Sequence, residues 1–257
     1  RPTMLLTIDV GNTNITLGVF DEDRLTATWR IATVHDRMPD EYGILLAQLF
    51  SHRKIRASDI SGVAIASVVP TLTNVFREVS QNYVGCDPLI VDAGVKTGVR
   101  IRYENPRDVG ADRVVDCAAV QLKYGGPACV VDFGTATTFD AISREGDYLG
   151  GAIAPGIGIA AEALFARASK LYRVEIAPPA KAIGTNTVLA MQSGIFFGYV
   201  ALVEGLVERF KRELGADTKV IATGGLAQTV ARETPVIQHV DPWLTLDGLR
   251  IVYALNR

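Results

Sequence analysis

Cysteine is scarce in this chain, and so is any pattern that would put cysteine to work. Cys86, Cys117 and Cys129 stand far apart in 257 residues, form no Cys-x-x-Cys pair and are odd in number. That excludes a zinc knuckle or a disulfide scaffold and points to a reducing compartment. Histidine is equally sparse. His35, His52 and His239 lie in polar surroundings without ligand spacing and read as surface residues. Charge of one sign is also missing: 26 basic against 28 acidic residues leave a net charge of −2 and no basic block. There is no field for gathering nucleic acid. The longest apolar stretch, around Ile195 to Val203, is short for a bilayer and meets Glu204, and Arg1-Pro2-Thr3 ahead of Met4 leaves no room for a signal peptide. A cytoplasmic protein without membrane or nucleic-acid partners is expected. No Gly-x-x-x-x-Gly-Lys-Ser/Thr loop occurs, which argues against a P-loop kinase.

What is present is core. Hydrophobic residues make up 48% of the chain and charged residues 21%, the balance of a folded globular protein. An apolar run from Leu5 ends on Asp9, Gly11-Asn12-Thr13-Asn14 supplies turn residues tolerant of positive φ, and Ile15 to Phe20 returns. Such a hairpin tip, with one acid, small polar side chains and backbone N–H groups, suits phosphate oxygens and a metal ion. An ordinary turn with a capping Asp fits the same residues.

Downstream, strands are expected at Arg24 to Ile31, Gly62 to Val69 and Pro88 to Val91, with helices at Glu41 to Phe50 and Thr71 to Tyr83. Gly110-Ala111-Asp112-Arg113 opens a helix through Leu122, and Gly125-Gly126-Pro127 breaks the chain. Then the opening recurs. Cys129 to Ile142 lays over the first hairpin in constant register, Asp132 standing 123 residues after Asp9 and Gly134 the same distance after Gly11. Lys219 to Gly225 echoes the strand at Gly62 to Ser67, with a helix from Ala227. Two Asp-x-Gly turns, each opening a similar half, imply a duplicated architecture with halves at 1–123 and 124–257.

A kinase acting on a small alcohol needs donors for the triphosphate, acids for its cation and a base for the hydroxyl proton. Asp9, Asn12, Thr13 and Asn14 on one wall and Asp132, Gly134 and Thr135 on the other can supply the first two. The Ala222-Thr223-Gly224-Gly225-Leu226 turn can let a nucleotide lie close to the backbone, or can be a plain strand-to-helix turn. Asp112 is the candidate base, although Asp in a first helical turn often only caps. Arg113 and the extended Arg102-Tyr103 segment suit a small anion bearing a hydroxyl, with Arg113 able to pair a carboxylate bidentately. Gly156-Ile-Gly158-Ile-Ala-Ala161 matches a dinucleotide fingerprint with Glu175 at a tempting distance. The segment before it, Gly150 to Pro155, is broken by glycine and proline, which argues for close backbone packing instead. A long helix from Thr187 to Leu214 carries Gly194, Gly198 and Gly205; it is a buried helix or a face for another helix across a homodimer.

These residues resemble a known family. The duplicated hairpin and the Ala-Thr-Gly-Gly turn are similar to the acetate and sugar kinase, heat-shock ATPase and actin superfamily. Within it the chain resembles the type III pantothenate kinases through Asp9-Val-Gly-Asn-Thr-Asn14, Asn105-Pro-Arg-x-Val-Gly-Ala-Asp-Arg113, Asp132-Phe-Gly-Thr-Ala-Thr137, Gly150-Gly-x-Ile-x-Pro-Gly156, Asn186-Thr187, Met191-Gln-Ser-Gly194 and Ala222-Thr-Gly-Gly-Leu226. The resemblance implies an α/β fold of two ribonuclease H-like (actin-like ATPase) domains, mixed sheets flanked by helices, with a nucleotide cleft between the halves. It implies ATP-dependent phosphorylation of pantothenate, the first step of coenzyme A biosynthesis. Asp9, Val10, Gly11, Asn12, Thr13, Asn14, Ile15, Thr16 and Thr135 would bind ATP, with Mg2+ accompanying the nucleotide. Asp132 would help hold a monovalent cation, K+ or NH4+; Asp112 would accept the proton; Tyr103, Gly110, Ala111, Asp112, Arg113 and Thr187 would hold pantothenate. Tyr172, where many members have proline, and Ala161, where Ser is common, depart from the pattern away from the catalytic positions. The rivals are a same-fold kinase of another small hydroxy acid or sugar, a non-catalytic ligand-binding regulatory homologue, which could dispense with Asp112 and Asp132, and an actin-like filament ATPase, for which the chain is short.

Overall fold

A computed structural model describes residues 4–168 and 171–257. In chain order the strands and α-helices are β1 (Met4–Val10), β2 (Asn14–Asp21), β3 (Arg24–Ala32), α1 (Pro39–His52), β4 (Ile60–Ser67), α2 (Pro70–Val79), β5 (Leu89–Ile90) and α3 (Ala111–Lys123). Then come β6 (Ala128–Phe133), β7 (Ala136–Ile142), β8 (Tyr148–Pro155), α4 (Ile157–Arg167), α5 (Thr187–Gln192), α6 (Gly198–Leu214), β9 (Lys219–Gly224), α7 (Ala227–Ala231), β10 (His239–Val240) and α8 (Leu244–Leu255). The helix expected from Gly156 through Leu171 ends at Arg167, and positions 169 and 170 lie outside the described residues.

Two compact units result, Arg1–Lys123 with Trp243–Arg257, and Tyr124–Pro242. The expected halves, 1–123 and 124–257, differ from this division in one element. The terminal helix α8, which the sequence reading left unassigned, belongs to the first unit. Leu246, Leu249 and Val252 bury there beside Val115 and Ala118 of α3. Gly248 makes the approach possible, since a Cβ on it would lie 2.0 Å from the Val115 carbonyl oxygen.

The first unit is a five-stranded sheet in the order β3-β2-β1-β4-β5, with β1 antiparallel to β2 and parallel to β4. Residues alternate between faces along a strand. Leu6, Ile8 and Val10 therefore join Leu46 and Phe50 of α1 and Leu72 and Phe76 of α2, while Leu5 joins α3 and α8 on the other face. A central strand covered on both faces reads as a nearly continuous apolar run, as Met4 to Ile8 does apart from the buried Thr7.

The second unit repeats the pattern, β10-β9-β6-β7-β8, with β6 antiparallel to β7 and parallel to β9. Cys129, Val131 and Phe133 face Phe196, Val200, Val203 and Val207. Strand β8 lies at the sheet edge, where its glycines and Pro155 are tolerated. The two hairpins are not in constant register throughout. Asp9 pairs with Thr16 and Asp132 with Thr138, so the offset of 123 residues on the outgoing strand becomes 122 on the return. The second turn is one residue shorter.

Helix α5, a wider π turn at Ser193–Phe197 and α6 run together as one helix, Thr187–Leu214. The apolar stretch at Ile195 to Val203 is thus part of a 28-residue helix, long and apolar enough by length and composition to cross a membrane. One side of it packs on the second sheet through Phe196, Val200, Val203 and Val207.

Gly248→Ala measures the α3–α8 contact. The helix propensity of Ala favours the change by up to ~1 kcal/mol. Overpacking against Val115 outweighs that, and we expect a net loss of about 1–2 kcal/mol in urea unfolding. An unchanged or increased stability would contradict the close approach.

Candidate active site

In the first unit the parallel pair β1/β4 ends level. Val10 pairs with Ser67, and the Val68 N–H donates to the Val10 carbonyl at 3.1 Å. Alternation puts the half-buried Asp9 on the face carrying Leu5, Thr16 opposite it on β2. The turn that follows is braced on itself and on the end of β3. The Gly11 N–H donates to the Asn14 carbonyl at 3.0 Å, the Thr33 N–H to the Thr13 carbonyl at 2.9 Å, and Thr33 Oγ1 to the Gly11 carbonyl at 2.7 Å. No residue from Gly11 to Asn14 has positive φ, so the expected left-handed turn is not used. Gly11 serves close approach instead: a Cβ there would stand 2.9 Å from the Asn14 oxygen. Asn12, Thr13 and Asn14 are exposed, Thr16 is half-buried, and Val10 and Ile15 are core.

The same sheet end receives the start of α3. A Cβ on Gly110 would lie 3.6 Å from Val68 Cγ1 and 2.5 Å from Asp112 Oδ1. Val68 thus touches both the β1 terminus and the Gly110–Arg113 segment. The Gly110 carbonyl accepts from the Val114 N–H at 3.2 Å, so the first helical turn is bonded to residue 110. Asp112 is the second residue of the helix, and its Oδ1 accepts the adjacent Arg113 N–H at 2.8 Å. A bond to the next residue is not the reach of an N-cap to the second or third residue beyond it. Burial pushes the Asp112 carboxyl above the usual carboxylate range, against the opposing pull of the Arg113 N–H and guanidinium. A carboxylate poised this way is a better proton acceptor at neutral pH than an ordinary one. Ala111 and Arg113 are half-buried beside it, and Tyr103 stands 42% exposed in the preceding loop.

The second unit builds a parallel arrangement. The Gly225 N–H donates to the Phe133 carbonyl at 3.2 Å, the counterpart of the Val68 bond. Gly224 has φ +89°, and a Cβ on it would lie 2.5 Å from Asp132 Oδ1 and 2.7 Å from the Phe133 backbone. The Ala-Thr-Gly-Gly turn therefore wraps the Asp132 carboxylate. Thr135, exposed at the hairpin tip, accepts the Gly156 N–H on its carbonyl at 3.2 Å. A Cβ on Gly156 would lie 2.2 Å from that oxygen, so the glycine of the dinucleotide-like motif is occupied in packing α4 onto the hairpin. Thr187 begins α5, where Asn186 Oδ1 accepts the Leu189 N–H at 2.9 Å. It lines a cavity of about 850 Å³ with Ile157, Met191, Gly194, Gly198 and Tyr199.

The first unit thus brings the Asp9 turn and the Gly110–Arg113 segment to one sheet end, the second gathers Asp132, Thr135 and the Gly224 turn at its own, and Tyr103 and Thr187 stand in a loop and at the cavity. Among the described residues no group of three His, Cys, Asp or Glu could by itself hold a metal. A single carboxylate with neighbouring backbone oxygens suits a hard cation completed by other ligands, not an all-protein cage. Sequence reasoning missed Val68 and Tyr199, which are apolar or aromatic side chains inside ordinary core patterns.

Asp112→Asn keeps an oxygen for the Arg113 N–H and removes the buried charge. The folded-state pKa lies above the unfolded value, so the ionised form lowers stability above the unfolded pKa and has no effect below it. D112N is expected to raise the melting temperature at neutral pH, the gain fading as pH falls through the raised folded-state pKa and gone below the unfolded value of about 4. A lower melting temperature at pH 7 would contradict this.

Comparison with known proteins identifies the family. The family model for type III pantothenate kinase matches residues 5–209. The type III pantothenate kinase of Moorella thermoacetica is 56% identical over 98% of this chain and 100% of its own length. That of Roseiflexus castenholzii is 53% identical, over 99% and 100%. Among solved structures, the inorganic polyphosphate/ATP-glucomannokinase of Arthrobacter sp. strain KM superimposes with a TM-score of 0.53 at 13% identity, covering 99% of this chain and 100% of that one. Such a likeness speaks for the fold alone, the duplicated actin-like ATPase and sugar kinase architecture. With a family model over most of its length and relatives above half identity over nearly all of it, the chain belongs to the type III pantothenate kinase family.

Proposed function

We propose that this protein transfers the γ-phosphoryl group of ATP to the primary hydroxyl of pantothenate, giving 4′-phosphopantothenate in the first step of coenzyme A biosynthesis. The observation that carries the reading is Asp112. In a chain of this family, a carboxyl raised by burial stands at the sheet end where β1 delivers Asp9 and its polar turn.

Asp112 takes the hydroxyl proton as the oxygen attacks in line, and Arg113 pairs the pantothenate carboxylate. Tyr103, Gly110, Ala111 and Thr187 hold the rest of that substrate. The segment Asp9 to Thr16 binds the ATP phosphates, its exposed Asn12, Thr13 and Asn14 side chains serving as donors, and Thr135 also contacts ATP. Asp9 is an organising acid for the nucleotide and its Mg2+, not the base. Asp132, enclosed by the Gly224 turn, fits a monovalent cation, K+ or NH4+, as one carboxylate among backbone oxygens. Bound there, the cation would offset charge on the phosphoryl oxygens.

The protein works as a cytoplasmic homodimer in this reading. Along α5 and α6 a Cβ added to Gly194, Gly198 or Gly205 would meet nothing within 4 Å. Gly194 and Gly198 also line the cavity beside Thr187. An open glycine face of this kind lets a second helix approach closely.

Purified protein is expected to form phosphopantothenate from ATP and pantothenate, faster with K+ or NH4+ than with Na+, with product identified by mass spectrometry. No turnover with any of the three cations would sink the assignment. D112N should lose about 10²–10⁴-fold in kcat. The acid limb of kcat/KM should have its midpoint above the ordinary Asp value of about 3.9. Sedimentation should give twice the 27.6 kDa chain mass. Gly198→Lys, a better helix former, should return a folded monomer. A monomeric native protein would refute the dimer alone.

A further inference from the structure

The phosphate-binding turn of the second unit is gripped from two sides by a residue that neither the sequence motifs nor the proposed reaction uses. Tyr199 follows the π turn Ser193–Phe197 by two residues, and it is only 6% exposed. Its ring packs, tilted by 57°, against Phe133, with centroids 6.2 Å apart. Phe133 is the last residue of β6, directly between Asp132 and Gly134. On the other flank, Tyr199 and Ile157 together line the cavity that holds Thr187. Ile157 follows Gly156, whose N–H is bonded to the Thr135 carbonyl. Both ends of the Phe133-Gly134-Thr135 turn are thus tied to one side chain, through β6 on one side and the start of α4 on the other.

The chemistry of the phenol fits this placement. Burial first, and the negative charge of Asp132 after it, hold the hydroxyl in its protonated form, while the Ile157 backbone N–H faces its oxygen. A protonated hydroxyl can accept the orphan N–H at a helix start. Helix α4 has no side-chain cap of its own, since Gly156 occupies the cap position.

We infer that Tyr199 is a positioning residue for the nucleotide, holding the start of α4 and the Phe133–Thr135 turn in one geometry. The inference rests on the reading that Thr135 contacts ATP. It goes beyond that reading by assigning the rigidity of the contact to a residue on another helix.

Tyr199→Phe keeps the ring against Phe133 and deletes only the hydroxyl. We expect KM for ATP, and the dissociation constant of a non-hydrolysable ATP analogue, to rise about 5–10-fold, the size of one lost hydrogen bond. KM for pantothenate and the melting temperature should change little. Phe133→Leu removes the ring contact without touching the hydroxyl and should move the ATP terms in the same direction. Because Tyr199 acts through Thr135, the Y199F/T135A double variant should bind the analogue no more weakly than T135A alone. Unchanged ATP terms in Y199F and F133L would overturn the inference. So would full additivity with T135A, or a fall in melting temperature with no change in ATP binding. Analogue binding is read without turnover, so a native protein that binds ATP but does not phosphorylate pantothenate would refute the proposed reaction and leave the Tyr199 test intact.

Discussion

Two backbone hydrogen bonds set the geometry on which the candidate residues depend. The Val68 N–H to the Val10 carbonyl closes the β1/β4 pair, and the Gly225 N–H to the Phe133 carbonyl closes β6/β9. Because side chains alternate along a strand, a slip of one residue in either pair would turn its acid to the opposite face. The apolar partners prevent that slip. Leu6, Ile8 and Val10 on one face and Leu5 on the other are each 5% exposed or less. Burial on both faces of β1 therefore decides where Asp9 points, and the same logic holds for Asp132 between Val131 and Phe133. In parallel sheets ligands gather at the carboxyl ends of strands, and both acids stand there.

The glycines around these strand ends answer two different demands. Gly224 needs its positive φ, and it also needs the absence of a Cβ because Asp132 Oδ1 occupies that space. Gly11 needs only the space. Its copy, Gly134, is more relaxed, with the nearest atom to a hypothetical Cβ at 3.3 Å. That difference follows from the one-residue change in turn length between the hairpins. Yet the pairing preserves Thr16 opposite Asp9 and Thr138 opposite Asp132. The duplicated halves thus keep a hydroxyl across from each acid while the turns themselves have diverged. In the second unit that hydroxyl donates to Asp140 Oδ2 at 3.2 Å, and the Tyr148 hydroxyl donates to Oδ1 at 2.9 Å, so Asp140 is hydrogen-bonded where it is buried.

How much of this was legible follows from the range of the signals involved. The hairpins, the two parallel crossovers and the helix at Gly110 announce themselves locally, through apolar runs ending on Asp and turn residues at short spacing. Gly150, Gly151 and Pro155 told against a central strand, but only the fold shows that the segment is an edge strand, β8. Helix α8 was not. Leu244, Leu246, Leu249 and Val252 are spaced irregularly for one helical face, because the helix is wedged between α3 and the sheet and buries more than a stripe. What holds it there is packing of Leu246, Leu249 and Val252 with Val115 and Ala118 and the close Gly248–Val115 approach, contacts between residues far apart in sequence. Val68 and Tyr199 were hidden for the same reason: each is an unremarkable core side chain until the fold places a turn against it. The one-residue shift between hairpins was invisible because the aligned Asp-x-Gly motifs match perfectly, and only strand pairing reveals the return register.

Asp112 shows how opposing effects act on a carboxylate at a common structural position. A carboxylate in the first turn of a helix ordinarily gains from the helix dipole and from nearby N–H groups, and its pKa falls. Asp112 has both advantages, together with the adjacent Arg113 guanidinium, and its pKa still rises because burial outweighs them. The hydrogen bond Asp112 is shown to accept comes from its neighbour Arg113, not from a capping position. A side chain held in an environment that opposes its charge is a candidate for proton transfer, which is the role proposed for Asp112. Arg113 pulls the other way, so burial and the guanidinium act against each other on the same carboxyl, and burial is the stronger.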